Sequence, residues 1–190
     1  MEERKTIYLC LAHMSETGEE QKYVKEAFDT NWVVPLGPNV NGFEDDLKAF
    51  VSKNSDGSEL SREVVALSAG TAAVHLGLLA SGVGPGDEVC VQSFTFCASS
   101  HPITYLGATP VFIDSEPDSW NMDPELLEKA IIDRKEKTGK YPKAIVPVAL
   151  YGMPYDCDKI MAISEKYGIP VVEDAAEGCG SRWKGQVLGT

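Results

Sequence analysis

The sequence predicts an α/β fold in which a mostly parallel sheet lies between two layers of helices, a three-layer α/β/α arrangement. Short apolar runs alternate with helix-like segments five times from Glu63 onward, and this alternation is typical of a parallel sheet with helices on both faces. The runs at 144–150 and 169–172 are continuously apolar, as expected of strands that helices cover on both sides. With 190 residues, the chain can bury a core and form one domain, or two at most.

The composition is that of a soluble globular protein, with 43% hydrophobic and 24% charged residues. The net charge of −12 disfavours binding to nucleic acid or to an anionic membrane, because both need a basic surface. It does not exclude an anionic ligand in a local pocket. The first 13 residues contain no long apolar segment, so we expect no signal peptide and no membrane span.

The cysteines argue for a reducing compartment. No two of them have CxxC spacing, and the three histidines do not cluster near them. We therefore expect no metal site and no disulfide framework, but reduced thiols in the cytoplasm. The cysteines are Cys10, Cys90, Cys97, Cys157 and Cys179, and the histidines are His13, His75 and His101.

Residues 1–62 are predicted to form an N-terminal helical arm with a loop, and residues 63–190 to form the main α/β domain. Thr17 and Glu20 have the spacing of a capping box, which predicts a helix after Thr17. A second helix is expected from about Asn41. The segment 30–44 contains two prolines and two glycines, so we expect a loop before this second helix.

The main domain begins with a strand at 63–68 and a helix within 68–82, entered through a Gly-Thr turn. A turn and a strand follow at 82–93. The segment 94–108 is expected to be a loop that leads into a short helix, since Pro102 is tolerated only near a first turn. A further strand is expected at 109–116.

Asp123 and Pro124 are expected to cap and begin a helix over 124–137, because aspartate favours the cap and proline the first turn. A strand, a helix and a last strand follow, at 143–150, 155–168 and 169–174.

Two adjacent acids, Glu173 and Asp174, end the last strand. The carboxyl ends of strands are where open α/β sheets bind ligands. Asp174 could pair with a positively charged ring nitrogen of a cofactor, or it could cap a helix. Glu173 points the other way, because successive strand side chains alternate. Glu177 could bind a polar ligand substituent or face solvent.

Two further segments could contact the same ligand. Gly70 and Thr71 begin a helix straight after a strand, where free N–H groups and the helix dipole favour a phosphate. The pattern is neither a Walker loop nor GxGxxG, and an ordinary tight turn is the alternative. Phe94 or Phe96 could stack on a planar ring, or both could belong to the core.

Eight segments in this order carry a family likeness: 37–44, 68–80, 82–89, 93–99, 107–114, 120–131, 146–160 and 171–190. Together they resemble the sugar aminotransferases of the DegT/DnrJ/EryC1/StrS type, which use pyridoxal 5′-phosphate (PLP). The resemblance implies the fold of the large cofactor domain of a PLP-dependent transferase. It also implies a cytoplasmic homodimer that transfers an amino group from an amino acid, commonly glutamate, to a nucleotide-linked keto sugar for cell-surface polysaccharide or glycan biosynthesis. In this family the active site lies at the dimer interface, and the loop 32–37 resembles a part that borders that site.

The resemblance also implies site residues. Gly70 and Thr71 match the phosphate-binding turn, Phe96 the aromatic residue that stacks on the pyridine ring, and Asp174 the acid that pairs with the pyridine nitrogen. Glu177 matches a position near the cofactor's ring oxygen, where a carboxylate would need a proton or a hydrogen-bond donor.

Two departures from the family pattern affect the active site. Ala149 stands where the family usually has histidine before LYG, which implies a changed pocket detail. The lysine that holds the cofactor as an imine lies in the family after the LGT motif, whereas this sequence ends at Thr190 and Lys184 does not match that lysine. We therefore expect an N-terminal part without the nucleophile, inactive alone.

Other functions stay open at this point. Some relatives are dehydratases in which histidine replaces the lysine. A non-catalytic remnant or a partner subunit would also keep these motifs. A nucleotide-binding α/β domain without PLP would need a fingerprint that 82–87 does not supply.

Overall fold

The computed structural model describes residues 14–190, which fall into two compact units, one ending at Asp46 and the other running from Leu47 to Thr190. The described residues do not include Cys10 or His13. The expectation that the first 13 residues contain no signal peptide also lies outside them. The domain boundary expected between residues 62 and 63 stays a prediction.

The first unit contains helix α1 (Glu19–Asp29) and the start of helix α2 (Pro38–Val51). The predicted capping box was wrong in its first member. Ser15, not Thr17, accepts the Glu19 N–H at 3.2 Å and donates its own N–H to the Glu20 carboxylate at 2.8 Å. Helix α2 begins earlier than expected, because proline suits a first helical turn, where its missing N–H is not needed.

The second unit alternates helices and strands around a three-stranded parallel sheet. Strand β1 is central and pairs with β2 and β3, in the order β2-β1-β3. The elements are α3 (Gly70–Ala80), β1 (Glu88–Gln92), α4 (His101–Tyr105), β2 (Thr109–Ile113), α5 (Pro124–Thr138), β3 (Ala144–Val146), α6 (Cys157–Tyr167), β4 (Arg182–Trp183) and β5 (Gln186–Val187). Two 3₁₀ turns, Cys97–Ser99 and Leu150–Gly152, follow β1 and β3.

The last predicted strand, 169–174, joins β3 through isolated parallel bridges only. The Val172 N–H donates to Ile145 at 2.9 Å, and the Asp174 N–H donates to the Pro147 carbonyl at 3.0 Å. Pro147 has no N–H to return, which interrupts the ladder. For the same reason β3 is shorter than the predicted strand 143–150. The segment 170–174 nevertheless runs beside β3 and ends at Asp174.

The strand predicted at 63–68 is not formed within residues 14–190. These residues carry no regular secondary structure up to Leu67, and Val65 is 70% exposed. An apolar, β-branched sequence favours an extended backbone, but a strand also needs a neighbour to supply hydrogen bonds.

The sheet buries both faces, which confirms the predicted three-layer fold. Val89 and Val91 pack with helices α3 and α4, whereas Cys90 faces helices α5 and α6. Ile145 lies in the core on the Cys90 side of the sheet, while its neighbours Ala144 and Val146 lie in the core on the other side. This alternation follows from the two-residue period of a strand.

Within residues 14–190, none of the helices combines the length and the apolar character needed to cross a bilayer.

Helix α3 lies close to the segment that ends at Asp174. A Cβ added at Gly77 would lie 2.8 Å from Val172 Cγ1, so we expect Gly77→Ala to destabilise the chain by about 1–3 kcal/mol through overpacking. Alanine in an open helix position would instead stabilise it by up to ~1 kcal/mol. Thermal unfolding measures the difference.

The matched control is Gly84→Ala, since a Cβ there meets nothing within 4 Å. Adding Val172→Ala should recover part of the loss in the Gly77→Ala chain. A Gly77→Ala chain as stable as the wild type would contradict the close approach of α3 to this segment.

Candidate functional site

The carboxyl ends of the strands meet at one edge of the sheet. Strand β1 ends at Gln92 and leads to Phe96, β3 leads to Tyr151, and the segment 170–174 ends at Asp174. Ligands bind at this edge in open α/β sheets.

The Asp174 backbone and side chain are both fixed. Its carbonyl accepts the Ala149 N–H at 3.1 Å. Its Oδ2 accepts the Ser99 hydroxyl at 2.6 Å, and its Oδ1 accepts the Ala176 N–H at 3.2 Å. The residues after Asp174 form turns and not a helix, so the helix-capping alternative is not observed.

Gly70 is the first residue of α3, entered from Ala69 in an extended conformation. A Cβ built on Gly70 would meet nothing within 4 Å, so the space in front of this helix start is open. Thr71 lies half-buried in the same turn. The N–H groups of a first helical turn have no partner within the helix, and α3 packs against the 3₁₀ turn that contains Ser99. The start of this helix therefore presents N–H donors to an open space, where an anion can bind.

The two phenylalanines are exposed, so the core alternative was wrong for both. Phe96 is 73% exposed and free to cover a flat ring. Phe94 is 42% exposed, and its ring centroid lies 5.7 Å from that of Trp120 and 6.4 Å from that of Tyr151. Phe94 and Trp120 line a cavity of about 430 Å³.

The Glu177 carboxylate accepts the N–H of Tyr151, which answers the need for a donor at this position. Tyr151 has a positive φ of 53°, a strained conformation for a residue with a side chain. The next residue, Gly152, accepts the Ser181 hydroxyl at 2.6 Å. These two hydrogen bonds hold the loop after β3 against the turns that follow Asp174.

Glu173 faces away from Asp174, as strand alternation predicted. Its carboxylate accepts the Gly189 N–H at 2.8 Å, and it lines a separate cavity of about 500 Å³ with Cys157 and Trp183. Neither this cavity nor the one beside Phe94 includes Asp174 in its lining. The site at Asp174 is an open surface, because Gly70 and Phe96 are exposed.

Burial raises the pKa of the Glu173 carboxyl, with a smaller contribution from the charge of Asp174. The folded chain therefore holds this proton more tightly than the unfolded chain. We expect the free energy of unfolding to fall as pH rises above about 4.5, the ordinary pKa of the unfolded group, since the folded state binds more protons in that window.

Glu173→Gln should remove this contribution to the slope of the free energy of unfolding against pH. Urea unfolding between about pH 4 and 8 measures that slope. The exposed Glu165 on α6 provides the control, because Glu165→Gln should keep the slope. An unchanged slope in Glu173→Gln would contradict the assignment.

Sequence reasoning missed Ser99 and the two buried amides Gln92 and Asn121, each of which is 0% exposed. Gln92 follows three apolar residues at the end of β1, and a polar residue at that point could have been noticed. Ser99 and Asn121 carry no local signal. Their importance comes from partners that are 75 and 29 residues away.

Comparison with known proteins gives a consistent result. The model of the "DegT/DnrJ/EryC1/StrS aminotransferase family" matches residues 14–190. A Bacillus subtilis protein named as the pyridoxal phosphate-dependent aminotransferase EpsN is 48% identical over 186 residues, which cover 98% of this chain and 45% of that protein. The GDP-perosamine synthase of Caulobacter vibrioides is 40% identical over 173 residues, covering 91% of this chain and 43% of that protein.

Solved structures agree. A DegT DnrJ EryC1 StrS aminotransferase from Brucella abortus superposes with a TM-score of 0.77 at 33% identity, covering 93% of this chain and 48% of that one. The chain thus spans about half the length of the relatives it matches.

Proposed function

Because the chain belongs to the DegT/DnrJ/EryC1/StrS aminotransferase family, we propose that its α/β unit binds PLP at the carboxyl edge of the sheet. The observation that carries the proposal is the Asp174 carboxylate, fixed by two donors at the end of a half-buried segment that runs parallel to β3. The family likeness expected from the sequence motifs is confirmed by the family model and by the relatives.

The residues present fit this cofactor. The space in front of Gly70 admits a phosphate group, which the helix dipole of α3 stabilises. The exposed ring of Phe96 is available for the flat face of a pyridine. Asp174 supplies the carboxylate that a protonated ring nitrogen needs, and Glu177 supplies an acceptor that is already oriented by Tyr151.

Each residue has a separate task in this proposal. PLP, when bound, supplies an electron sink whose strength depends on a protonated ring nitrogen. Asp174 holds that proton at the nitrogen. Gly70 and Thr71 anchor the phosphate, and Phe96 covers one ring face and excludes water from it.

For the whole protein, we propose transfer of an amino group from an amino acid, such as glutamate, to a nucleotide-linked keto sugar. We also propose a cytoplasmic homodimer. The name of the Caulobacter relative, a GDP-perosamine synthase, supports a nucleotide-sugar substrate. The names of the relatives favour amino transfer over dehydration.

The test is a titration of the 190-residue chain with pyridoxamine 5′-phosphate, the amino form of the cofactor, which binds without a covalent bond. We expect saturable binding by calorimetry, and at least ~10-fold weaker binding of pyridoxamine, since loss of a charge-assisted contact costs about 1.5–3 kcal/mol. Equal affinity for both would contradict the phosphate role of α3, and no binding would contradict the cofactor site. Transfer of ¹⁵N from labelled glutamate to a keto sugar would test the whole protein.

A further inference from the structure

We propose that Ser99 is a positioning residue, which fixes the Asp174 carboxylate against the cofactor ring through a hydroxyl relay that begins at Thr95. This inference rests on the proposed cofactor site. It adds a residue that acts through Asp174 and not by touching the ligand.

The direction of the relay follows from the donor inventory. The Ser99 Oγ lies 2.6 Å from Asp174 Oδ2 and 2.9 Å from Thr95 Oγ1. An ionised carboxylate can only accept, so the single hydroxyl proton of Ser99 points to Asp174. Thr95 must then donate to Ser99. Such a chain strengthens its last hydrogen bond, because each donor polarises the next.

Burial makes the relay rigid. Ser99 is 0% exposed and Thr95 is half-buried. Water therefore does not compete for the Ser99 hydroxyl, and the low local dielectric strengthens its bond to a charged acceptor.

The same turn also places the aromatic ring. Phe96 lies between Thr95 and Ser99 in the chain, and its carbonyl accepts the Ser99 N–H at 3.1 Å. Ser99 thus binds the backbone of the residue proposed to cover the ring face and the side chain of the residue proposed to hold the ring nitrogen. The buried Ser99 therefore sets how far Phe96, at the face of the ring, lies from Asp174, at the ring nitrogen.

The carboxylate has little freedom left. Ser99 binds Oδ2 and the Ala176 N–H binds Oδ1, so the plane of the group is set before any ligand arrives. A preoriented acceptor loses less entropy on binding. It should also keep the ring nitrogen of the ligand protonated to a higher pH than a mobile carboxylate would.

The test uses the 190-residue chain and pyridoxamine 5′-phosphate labelled with ¹⁵N in the ring. We expect Ser99→Ala to weaken binding by about 10-fold, the loss typical of one hydrogen bond to a charged group. We also expect the ring ¹⁵N signal to show loss of the proton at lower pH than in the wild type. Ser99→Thr, which keeps the hydroxyl, should restore the pH of proton loss.

Ser100→Ala is the matched control. The Ser100 hydroxyl lies one residue further along, and it donates to the Cys97 carbonyl at 3.2 Å, away from Asp174. Both measurements should stay at the wild-type values in this variant. If Ser99→Ala does not fold, Thr95→Val tests the same relay. It should weaken binding and lower the pH of proton loss in the same direction, by smaller amounts.

The outcomes separate the two proposals. Wild-type chain that binds no pyridoxamine 5′-phosphate overturns the cofactor site and the relay with it. Wild-type binding with an unchanged ¹⁵N profile in Ser99→Ala overturns the relay alone. Weaker binding without a change in the profile would mean that Ser99 only supports the fold, and it would also overturn the relay.

Discussion

Asp174→Asn is expected to lower the affinity of the chain for pyridoxamine 5′-phosphate by about 100-fold. Asparagine has nearly the same shape, and its amide oxygen can still accept the hydrogen bond from Ser99. It carries no charge, so a protonated ring nitrogen loses its ionic partner. Loss of one hydrogen bond to a charged group costs about 1.5–3 kcal/mol, which corresponds to a factor of ~10 to 150.

The amino transfer proposed for the whole protein should fall at least as far, because the electron sink depends on the same proton. Calorimetry gives the affinity, and thermal unfolding checks that the variant is folded. Asp133→Asn is the control, since Asp133 pairs with Lys137 on the surface of helix α5. Wild-type affinity in Asp174→Asn would remove the role assigned to this carboxylate.

The elements that the sequence predicted correctly have local signals. Asp123 accepts the N–H groups of Glu125 and Leu126 at the start of α5, at 2.7 and 3.2 Å, where an N-cap was expected. Gly168 ends α6 in the left-handed conformation that glycine adopts readily. Periodicity and caps act within a few residues, so the sequence window contains all the interactions that decide them.

The features that were missed depend on distant partners. Whether 63–68 forms a strand depends on a neighbouring strand, and whether 169–174 forms a full ladder depends on Pro147 in another segment. The residues of the site also fall into those with a local signal and those without one. Gly70 and Asp174 could be selected from their positions at element ends, whereas Ser99 is recognisable only once its bond to Asp174 is seen.

A buried amide network ties the loops of the site edge together. Asn121 is 0% exposed. Its Nδ2 donates to the Met153 carbonyl at 2.9 Å, and its Oδ1 accepts the Gln92 amide at 3.2 Å and the Leu150 N–H at 3.3 Å. Gln92 in turn donates to the Phe94 carbonyl at 2.8 Å. Asn121 therefore joins the end of β1 to the loop after β3, which contains Tyr151.

Asn121→Leu should destabilise the chain by about 3–5 kcal/mol. Leucine fills a similar volume but leaves two buried donors, the Gln92 amide and the Leu150 N–H, without this partner, at about 1–3 kcal/mol each. The part-buried Met153 carbonyl loses its donor as well. The midpoint of thermal unfolding should fall by about 10 °C. The exposed Asn41 offers a control of the same residue type, and Asn41→Leu should change stability by no more than about 0.5 kcal/mol. A loss in Asn121→Leu as small as that of the control would mean that the network adds little to stability. The loops at the carboxyl edge would then be held by the other contacts of the site, which include the Tyr151 hydrogen bond to Glu177.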